Sequence, residues 1–278
     1  MSAVSAQCKD ESNASEDLLY AGSDQVINNQ SFPRLGNPPS VEAVLELRVR
    51  LASPMAPTAG ERLAEELNSV FTKVKPIRFV SARISFDTDT SEPAELASSV
   101  IGSRLESEDG MWVVQAKSDS LAVSRLAPYE TWETLVDKLK MVWPAYRAAF
   151  APEVVTRIGA RFINKIAIGP DPVDLDDLLT TGPRIPASMP QAFLNFASTV
   201  IVPLSDLHCG VTLTQSSELL PLADGRRTMN VLLDIDAFAE EAWAVDDFAM
   251  WERLSDLRIA KNRAFFGALK PTTLERFK

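Results

Sequence analysis

The first segment with a regular pattern, "VEAVLELRVRL" at residues 41–51, alternates apolar residues with mostly charged ones. Because successive side chains of a strand point to opposite faces, this alternation predicts a strand with one buried face and one solvated face. The following segment, "GERLAEELNSVFTKVKP", has apolar residues at helical spacing. It predicts an amphipathic helix over residues 60–76 that stops at Pro76.

Beyond this helix, groups of strands alternate with long helices. Strands are predicted at "IRFVSARISF", in a hairpin "MWVVQAKSDSLAVSRL" that turns at "SDS", and in four later segments. A helix is predicted over residues 127–150, where Pro144 should kink or end it, and a closing helix is predicted from Asp246 to about Leu269. The four later strands are residues 157–169, 192–204, 209–219 and 228–238.

These elements divide the chain into four parts. Residues 1–36 are rich in Ser, Asn, Asp and Gln and are predicted to be a disordered polar leader. Residues 37–169 and 191–278 form two α+β halves, joined by a Pro-rich connection at residues 170–190. The predicted fold class is α+β, with long amphipathic helices packed on antiparallel sheets, and residues 37–278 are expected to form one compact domain.

The two halves share a short pattern. Trp132–Asp137 reads WETLVD and Trp251–Asp256 reads WERLSD, and each opens a long helix directly after a group of strands. This match suggests that a strands-then-helix unit has been duplicated. Shared amphipathic spacing can give much of the same pattern without duplication, so both interpretations stay open.

Composition narrows the class of protein. Of the 278 residues, 46% are hydrophobic and 24% are charged, as in an ordinary globular protein. The formal charge of -10 repels a phosphate backbone, which argues against non-specific binding of nucleic acid. The two cysteines give no disulfide framework, and no apolar run is long enough to span a bilayer. We therefore expect a cytoplasmic protein without a membrane partner.

Several catalytic motifs are missing from the sequence. It contains no G-x-x-x-x-G-K-[ST], no G-x-G-x-x-G and no G-x-S-x-G, and its single histidine excludes a two-histidine zinc motif. His208 precedes Cys209, but neighbours on a strand face opposite sides and cannot form a nucleophilic dyad. No cofactor is predicted, and His208 is interpreted as a residue at the edge of a strand.

The segment "LLDIDAF" places Asp234 and Asp236 two residues apart on a predicted strand, so both carboxylates share one face. Lys261 falls within the apolar stripe of the closing helix, and Arg258 lies near the edge of that stripe. Because buried cations need partners, a structural network of ion pairs among these four residues is favoured over a metal site. The alternative is that Asp234 and Asp236 hold a metal ion.

A second charged cluster lies in "RIGARFINKIAIG". Arg157, Arg161 and Lys165 share one face of the predicted strand, whereas Asn164 lies on the apolar face and must be satisfied by hydrogen bonds. A row of cations can be solvated, can pair with acids or can bind an anion. Gly159 removes a side chain between the two arginines and would let a ligand or another backbone approach. These five residues are candidates for contact with a ligand or a partner.

In order and spacing, "NPPSVEAVLELRV", "APYETWE", "RIGARFINKI", "LLDIDAF" and "LRIAKNRAFFGAL" resemble a sporadically distributed bacterial family of uncharacterised proteins. The resemblance covers nearly all residues from Asn37 onward. It implies bacterial origin and a patchy, horizontal distribution, and it implies no particular reaction. Phe162 stands where a tyrosine is common in the family pattern, which argues against a phenol acting at this position.

A patchy distribution without a catalytic motif is similar to that of accessory genes in defence or toxin-neutralising modules. We therefore expect a cytoplasmic bacterial interaction protein with a protein partner, which acts through a sheet face or through the cleft between sheet and helices. Two alternatives stay open. One is a metal-dependent phosphotransfer or nucleotidyltransfer enzyme that uses Asp234 and Asp236, and the other is a small-anion-binding module whose pocket lies between sheet and helix, with Arg157 and Arg161 as ligands.

Overall fold

The alternating segment near the start of the sequence forms strand β1 (Ser40–Leu51), which lies in the middle of an antiparallel sheet. Leu45 and Leu47 are buried on one face of this strand, and Arg48 and Arg50 are exposed on the other. Alternation therefore predicted this strand and its two faces correctly. The computed structural model describes residues 32–83, 95–169, 173–191, 193–221 and 227–278.

Strands are the most common element in this described part of the chain, with a few helices between them. The helices are α1 (Ala59–Glu66), α2 (Trp132–Phe150), α3 (Ala249–Ala268) and the short α4 (Pro271–Leu274). None of them is both long and apolar enough to cross a bilayer. After β1, the strands are β2 (Phe71–Arg83), β3 (Glu95–Ser107), β4 (Trp112–Lys117), β5 (Ser120–Leu126), β6 (Pro152–Gly169), β7 (Ala197–Leu204), β8 (Cys209–Pro221), β9 (Arg227–Ala239) and β10 (Trp243–Ala244).

These ten strands form one sheet in the order β2-β3-β4-β5-β1-β6-β9-β8-β7, and β10 pairs with β6. Every pairing is antiparallel, so the predicted antiparallel α+β class is confirmed. Two sets of strands, β1–β5 and β6–β10, meet where β1 pairs with β6. Strand β6 lies within residues 37–169, so this seam is not the boundary between the two predicted halves. On one side of this seam β5, the last strand of its set, returns to pair with β1, and on the other side β9 and β10 return to pair with β6.

The helices cover one face of the sheet, which we call the inner face. Helix α2 packs on β5 and β1, and α3 packs on β9, β6 and β8. The inner face carries buried apolar residues of the central strands, which pair across the sheet as Leu45 with Ala160 and Phe162 with Ile235. The opposite face, which we call the outer face, carries most of the charged residues of β6 and β9. The fold thus separates an apolar layer from a charged one.

The helix predicted over residues 60–76 is wrong in its second half. Helix α1 ends at Glu66, and the chain continues as β2 from Phe71. The apolar residues of this segment have helical spacing, but Val70, Thr72 and Val74 are β-branched and favour a strand. The preference for a strand prevails here. Pro76 lies inside β2, where an outermost strand tolerates a residue without a backbone donor.

Other boundaries also differ from the expectations. The hairpin that turns at "SDS" is confirmed, but β3 was missed because its apolar residues follow no regular period. Helix α2 continues through Pro144 to Phe150, so this proline does not end it. Residues 32–36, assigned to the leader, are described, and Phe32 stacks on Phe266 at 5.2 Å between ring centres. Residues 1–31, 84–86, 170–172 and 192, which also carried predictions, lie outside the described residues.

Candidate functional site

Asp234 and Asp236 both lie on the outer face of β9, as their spacing predicted, but they do not face the closing helix. The residues between and around them, Leu233, Ile235 and Ala237, are fully buried on the inner face beneath α3. A side chain two residues from another on a strand shares its face, so the aspartates point away from α3. The predicted strand-to-helix network is therefore wrong.

The partners of the two aspartates are the arginines of the neighbouring strand β6. Arg157 Nη2 donates to Asp236 Oδ2 at 2.7 Å, and Arg161 Nη2 donates to Asp234 Oδ2 at 2.5 Å. Arg161 also donates through Nε to both oxygens of Asp234. The aspartates of β9 and the arginines of β6, which lie in separate segments of the sequence, thus form one charged layer on the outer face.

Arg157 is the centre of this layer. Its side chain is only 7% exposed, and Nη1 donates to Glu46 Oε2 on β1 at 2.9 Å while Nη2 reaches Asp236. Burial outweighs the attraction of Arg157 and raises the pKa of the Asp236 carboxyl above its usual range. A nearly buried cation that donates hydrogen bonds to an acid on each side is typical of a structural ion-pair network.

Gly159 serves this arrangement and leaves no room for a ligand. A Cβ atom at Gly159 would lie 2.4 Å from Arg157 Nη1, so the guanidinium occupies the space that the glycine leaves. Phe238, which pairs with Gly159 on the next strand, lies with its ring 4.8 Å from the Arg157 guanidinium. Its ring in turn covers Gly210 of β8. The expectation that a ligand or another backbone approaches Gly159 is therefore wrong.

The remaining cation of the predicted contact surface is also paired. Lys165 Nζ lies 2.7 Å from Glu218 Oε2 on β8. Arg157 and Arg161 thus contact acids on the strands next to β6, and Lys165 contacts an acid on β8, two strands away. Among the residues that the structure describes, no group of three or more His, Cys, Asp or Glu side chains is placed to hold a metal ion. Asp234 and Asp236 are engaged by guanidinium groups instead.

Arg258 and Lys261, the cations predicted to meet the aspartates, lie on α3 at the inner face. Arg258 Nη1 donates to Glu133 Oε1 of α2 at 2.8 Å, so it links the two helices. Lys261 makes no salt bridge within the described part of the chain, and its Nζ lies 4.0 Å from the centre of the Phe162 ring. The sequence placed Lys261 correctly within the apolar stripe of this helix, but it assigned the wrong neighbours.

Lys261 reaches into a cavity of about 280 Å³ between the sheet and the two long helices. Phe162, Asn164 and Ile235 of the inner face form its floor. The start of α2 forms one wall, α3 forms another, and residues 32–35 form part of the rim. The other lining residues are Phe32, Pro33, Arg34, Leu35, Pro38, Ser40, Tyr129, Glu130, Thr131, Trp132, Glu133, Arg258, Asn262, Phe265 and Phe266.

The Phe162 ring, which lies against the Lys261 ammonium group, packs in turn against two further aromatic rings. The Tyr129 ring meets Phe162 edge-on at 5.3 Å, and the Trp132 ring stacks near it at 6.3 Å between centres. Burial among these groups, together with the nearby charge of Arg258, lowers the pKa of Lys261 to about 7. Burial also raises the pKa of the Tyr129 hydroxyl well above its usual range, so this group keeps its proton at neutral pH.

The acids that line the cavity are already engaged by arginines. Glu130 Oε1 accepts from Arg125 Nη2 at 2.6 Å, and Glu133 accepts from Arg258. The backbone N–H of Glu133 and the charge of Arg258 both hold the pKa of the Glu133 carboxyl below its usual range. Lys261 is therefore left, among the described residues, without a carboxylate of its own. The cavity has a net excess of positive charge when this lysine is protonated.

Asn164 is the one predicted contact residue that lines the cavity. Its Oδ1 accepts from Ser40 Oγ at 2.7 Å, and its Nδ2 donates to the Leu233 carbonyl oxygen at 3.0 Å and to the Phe162 carbonyl oxygen at 3.3 Å. The predicted need for hydrogen bonds at this buried amide is confirmed. These bonds fix the floor of the cavity next to Phe162.

His208 and Cys209 differ in exposure, but His208 lies before β8 and not on a strand as the sequence argument assumed. His208 is exposed at the end of a short 3-10 turn, and Cys209 is buried at the start of β8. Burial raises the pKa of the Cys209 thiol to about 11, so this group is protonated at neutral pH. The pair is not a nucleophilic dyad.

Sequence reasoning missed the aromatic walls of the cavity. Tyr129 and Trp132 lie in "APYETWE", a segment whose spacing predicts only the start of a helix. Phe266 lies outside the predicted apolar stripe of α3. The available signal was the lysine within an apolar stripe, because a buried cation needs groups around it that compensate its loss of water.

Comparisons of the chain with protein-family models, with curated proteins and with solved structures found no match, so the family resemblance stays a prediction.

Proposed function

We propose that this protein binds a small anionic ligand with a flat apolar body in the cavity between sheet and helices. The observation that carries the proposal is the Lys261 ammonium group, which lies over the Phe162 ring inside the cavity and contacts no acid among the described residues. A ligand anion next to this ammonium would supply the missing charge, and the aromatic walls would contact the ligand body.

The cavity volume sets the size of the ligand. About 280 Å³ lies near the lower end of the range for ligand pockets, which favours a molecule of one or two rings. This proposal keeps the predicted class of anion-binding module and the predicted place between sheet and helix. It changes the anion-binding residue from Arg157 and Arg161, which are paired on the outer face, to Lys261.

Calorimetric titration with aromatic acids tests the proposal. We expect benzoate or 2-naphthoate to bind the wild-type protein, and the corresponding neutral amides to bind at least about tenfold more weakly, because they lack the charge that Lys261 attracts. Lys261→Met should abolish binding of the acids. Lys165→Met is the matched control, since this lysine is paired with Glu218 on the outer face and should leave binding unchanged.

Equal affinity for acids and amides would contradict an anion site. Binding that survives Lys261→Met would place the ligand elsewhere. Far-UV circular dichroism and a thermal melt of each variant show whether a loss of binding reflects the site or the loss of folding.

A second function, protein interaction, is favoured by the outermost strand β7. Val200, Ile201 and Val202 are 48%, 68% and 43% exposed, and the segment Ala197–Leu204 contains no charged residue. Charges are a common protection of outermost strands against pairing with other chains, so β7 is suited to accept an extended strand of a protein partner. Such pairing fits the predicted interaction protein of a defence or toxin-neutralising module.

Site-specific photocrosslinking in cells tests this second function. A photoreactive residue at Thr199 should give a defined protein adduct, and Ile201→Lys should abolish it because the new charge opposes strand pairing. Adducts of equal yield with and without Ile201→Lys would contradict strand addition at β7.

A further inference from the structure

The environment of Lys261 combines three features that activate an amine. The amine lies against the face of Phe162 in an aromatic cavity, Arg258 precedes it on the same helix, and no acid of the described residues forms an ion pair with it. Desolvation and a cationic neighbour both disfavour the ammonium form, and lysines that act as nucleophiles share this arrangement. With a pKa of about 7, Lys261 has both forms near neutral pH, the ammonium that attracts an anion and the neutral amine that can attack a carbonyl group.

The other charged or titratable groups that line the cavity do not compensate the charge of Lys261. Arg258 and Glu133 pair with each other between the helices, Glu130 pairs with Arg125, and Tyr129 keeps its proton. Arg34 lies at the exposed rim. No carboxylate of the lining is thus free to restore the charge of Lys261.

We infer that the Lys261 amine forms a Schiff base with a small carbonyl compound that also carries a carboxylate, an inference that rests on the proposed anion-binding function. The Nζ lone pair attacks the carbonyl carbon, and the two electrons of the C–O π bond move to oxygen to give a carbinolamine. One N–H proton moves to that oxygen in this step. The remaining N–H proton then leaves with the hydroxyl group as water, while the C–O bond breaks and a C=N bond forms. One amine and one carbonyl group give one imine and one water, without a change of oxidation state.

Reductive trapping tests this inference on the full-length protein. The probe is 4-carboxybenzaldehyde with cyanoborohydride, which converts the imine to a stable secondary amine that peptide mass spectrometry can locate. Near pH 7, Lys261 should be modified at least about tenfold faster than an ordinary exposed lysine, because a much larger fraction of its amine is neutral. Lys261→Met should lack the fast adduct and keep the slow surface modification.

The outcomes separate the two proposals. A fast adduct at Lys261 that benzoate suppresses supports both. Benzoate binding without a fast adduct at Lys261 would overturn the Schiff base and leave the anion site in place. Uniform modification of all lysines without benzoate binding would overturn both. The pH dependence of trapping in the wild-type protein gives a test that needs no variant, since the selectivity for Lys261 should fall as the pH approaches 10 and surface lysines lose their protons.

Discussion

We expect Lys261 to lower the free energy of unfolding, by an amount that depends on pH. Its pKa of about 7 in the folded protein is below the ordinary value of 10.5 that we expect in the unfolded chain. Between these two values the unfolded chain binds a proton that the folded protein lacks, so this residue makes stability rise with pH across that window. Below pH 7 both states are protonated, and the full penalty for burying the charge is present.

Lys261→Met tests this penalty. The variant should be more stable than the wild-type protein by about 2–4 kcal/mol at pH 6, because a thioether fits an aromatic cavity without desolvation of a charge. The difference should shrink as the pH rises toward 10. Urea unfolding of both proteins across this pH range measures the difference, and a variant that is less stable at every pH would show that Lys261 has a stabilising partner.

Arg157 should be the residue of the outer face on which stability depends most. Arg157→Gln removes the cation between Glu46 and Asp236, which leaves two half-buried carboxylates close to each other. We expect a loss of about 2–4 kcal/mol at pH 7. Arg157 lowers the pKa of the Asp236 carboxyl and Glu46 raises it, so Asp236 should bind a proton more readily in the variant. The loss should therefore become smaller as the pH falls toward 4.

The control for this prediction is Arg161→Gln. Arg161 makes a comparable contact with Asp234, but its side chain is 52% exposed, so water can replace much of the interaction. We expect a loss below about 1 kcal/mol. Equal losses for the two variants in denaturant unfolding would contradict a special role for the buried guanidinium.

At the scale of single elements, helix α2 begins with a side-chain cap at the wall of the cavity. Thr131 has extended backbone angles, and its Oγ1 accepts from the Thr134 backbone N–H at 3.1 Å. Thr131→Ala should lower the free energy of unfolding by about 1 kcal/mol, whereas Thr131→Ser should retain most of it. The same change should weaken binding of benzoate, because fraying of the first turn displaces Trp132 and Glu133. Thermal melts and calorimetry of both variants measure these effects.

The strands show how far periodicity could predict this fold. Alternation in β1 and β6 assigned each residue to its correct face, and the same rule applied to "VLLDIDAF" would have turned Asp234 and Asp236 away from α3, because Leu233 and Ile235 occupy the buried positions. The pairing of Arg157 with Asp236 could not be predicted from the sequence pattern, because it depends on which strands are neighbours in the sheet. That order is a property of long-range contacts.

The cavity shows a different limit. Lys261 was recognisable from the sequence as a cation within an apolar helical stripe, and this local signal was correct. Its actual neighbours come from three distant segments, the start of α2, the floor strand β6 and residues 32–35. No local pattern links these segments. The error at β2 has a local cause, since residues 70–76 satisfy helical spacing while their β-branched side chains favour a strand.

At the scale of the whole molecule, the seam between β1 and β6 bears on the duplication hypothesis. Each side of the seam has a set of antiparallel strands followed by a long helix, and the last strand of each set returns to pair with the first. This order is what duplication of a strands-then-helix unit would produce. The seam itself is formed by the first strand of each set, β1 and β6, so each set covers an edge of the other.

Separate production of residues 1–190 and 191–278 tests whether the halves are independent. We expect neither fragment alone to unfold cooperatively, because β6 would lose its pairing with β9, and the inner-face residues Ile158 and Phe162 would lose their cover by α3. Each such loss exposes apolar surface to water, and burial of this surface normally contributes about 25 cal/mol per Å² to the free energy of unfolding. Mixing the fragments should restore a cooperative transition and, with it, benzoate binding, since the cavity takes Phe162 from one fragment and Lys261 from the other. A fragment that unfolds cooperatively by itself would show that the two halves are independently stable units, and binding by one fragment alone would place the ligand outside this cavity.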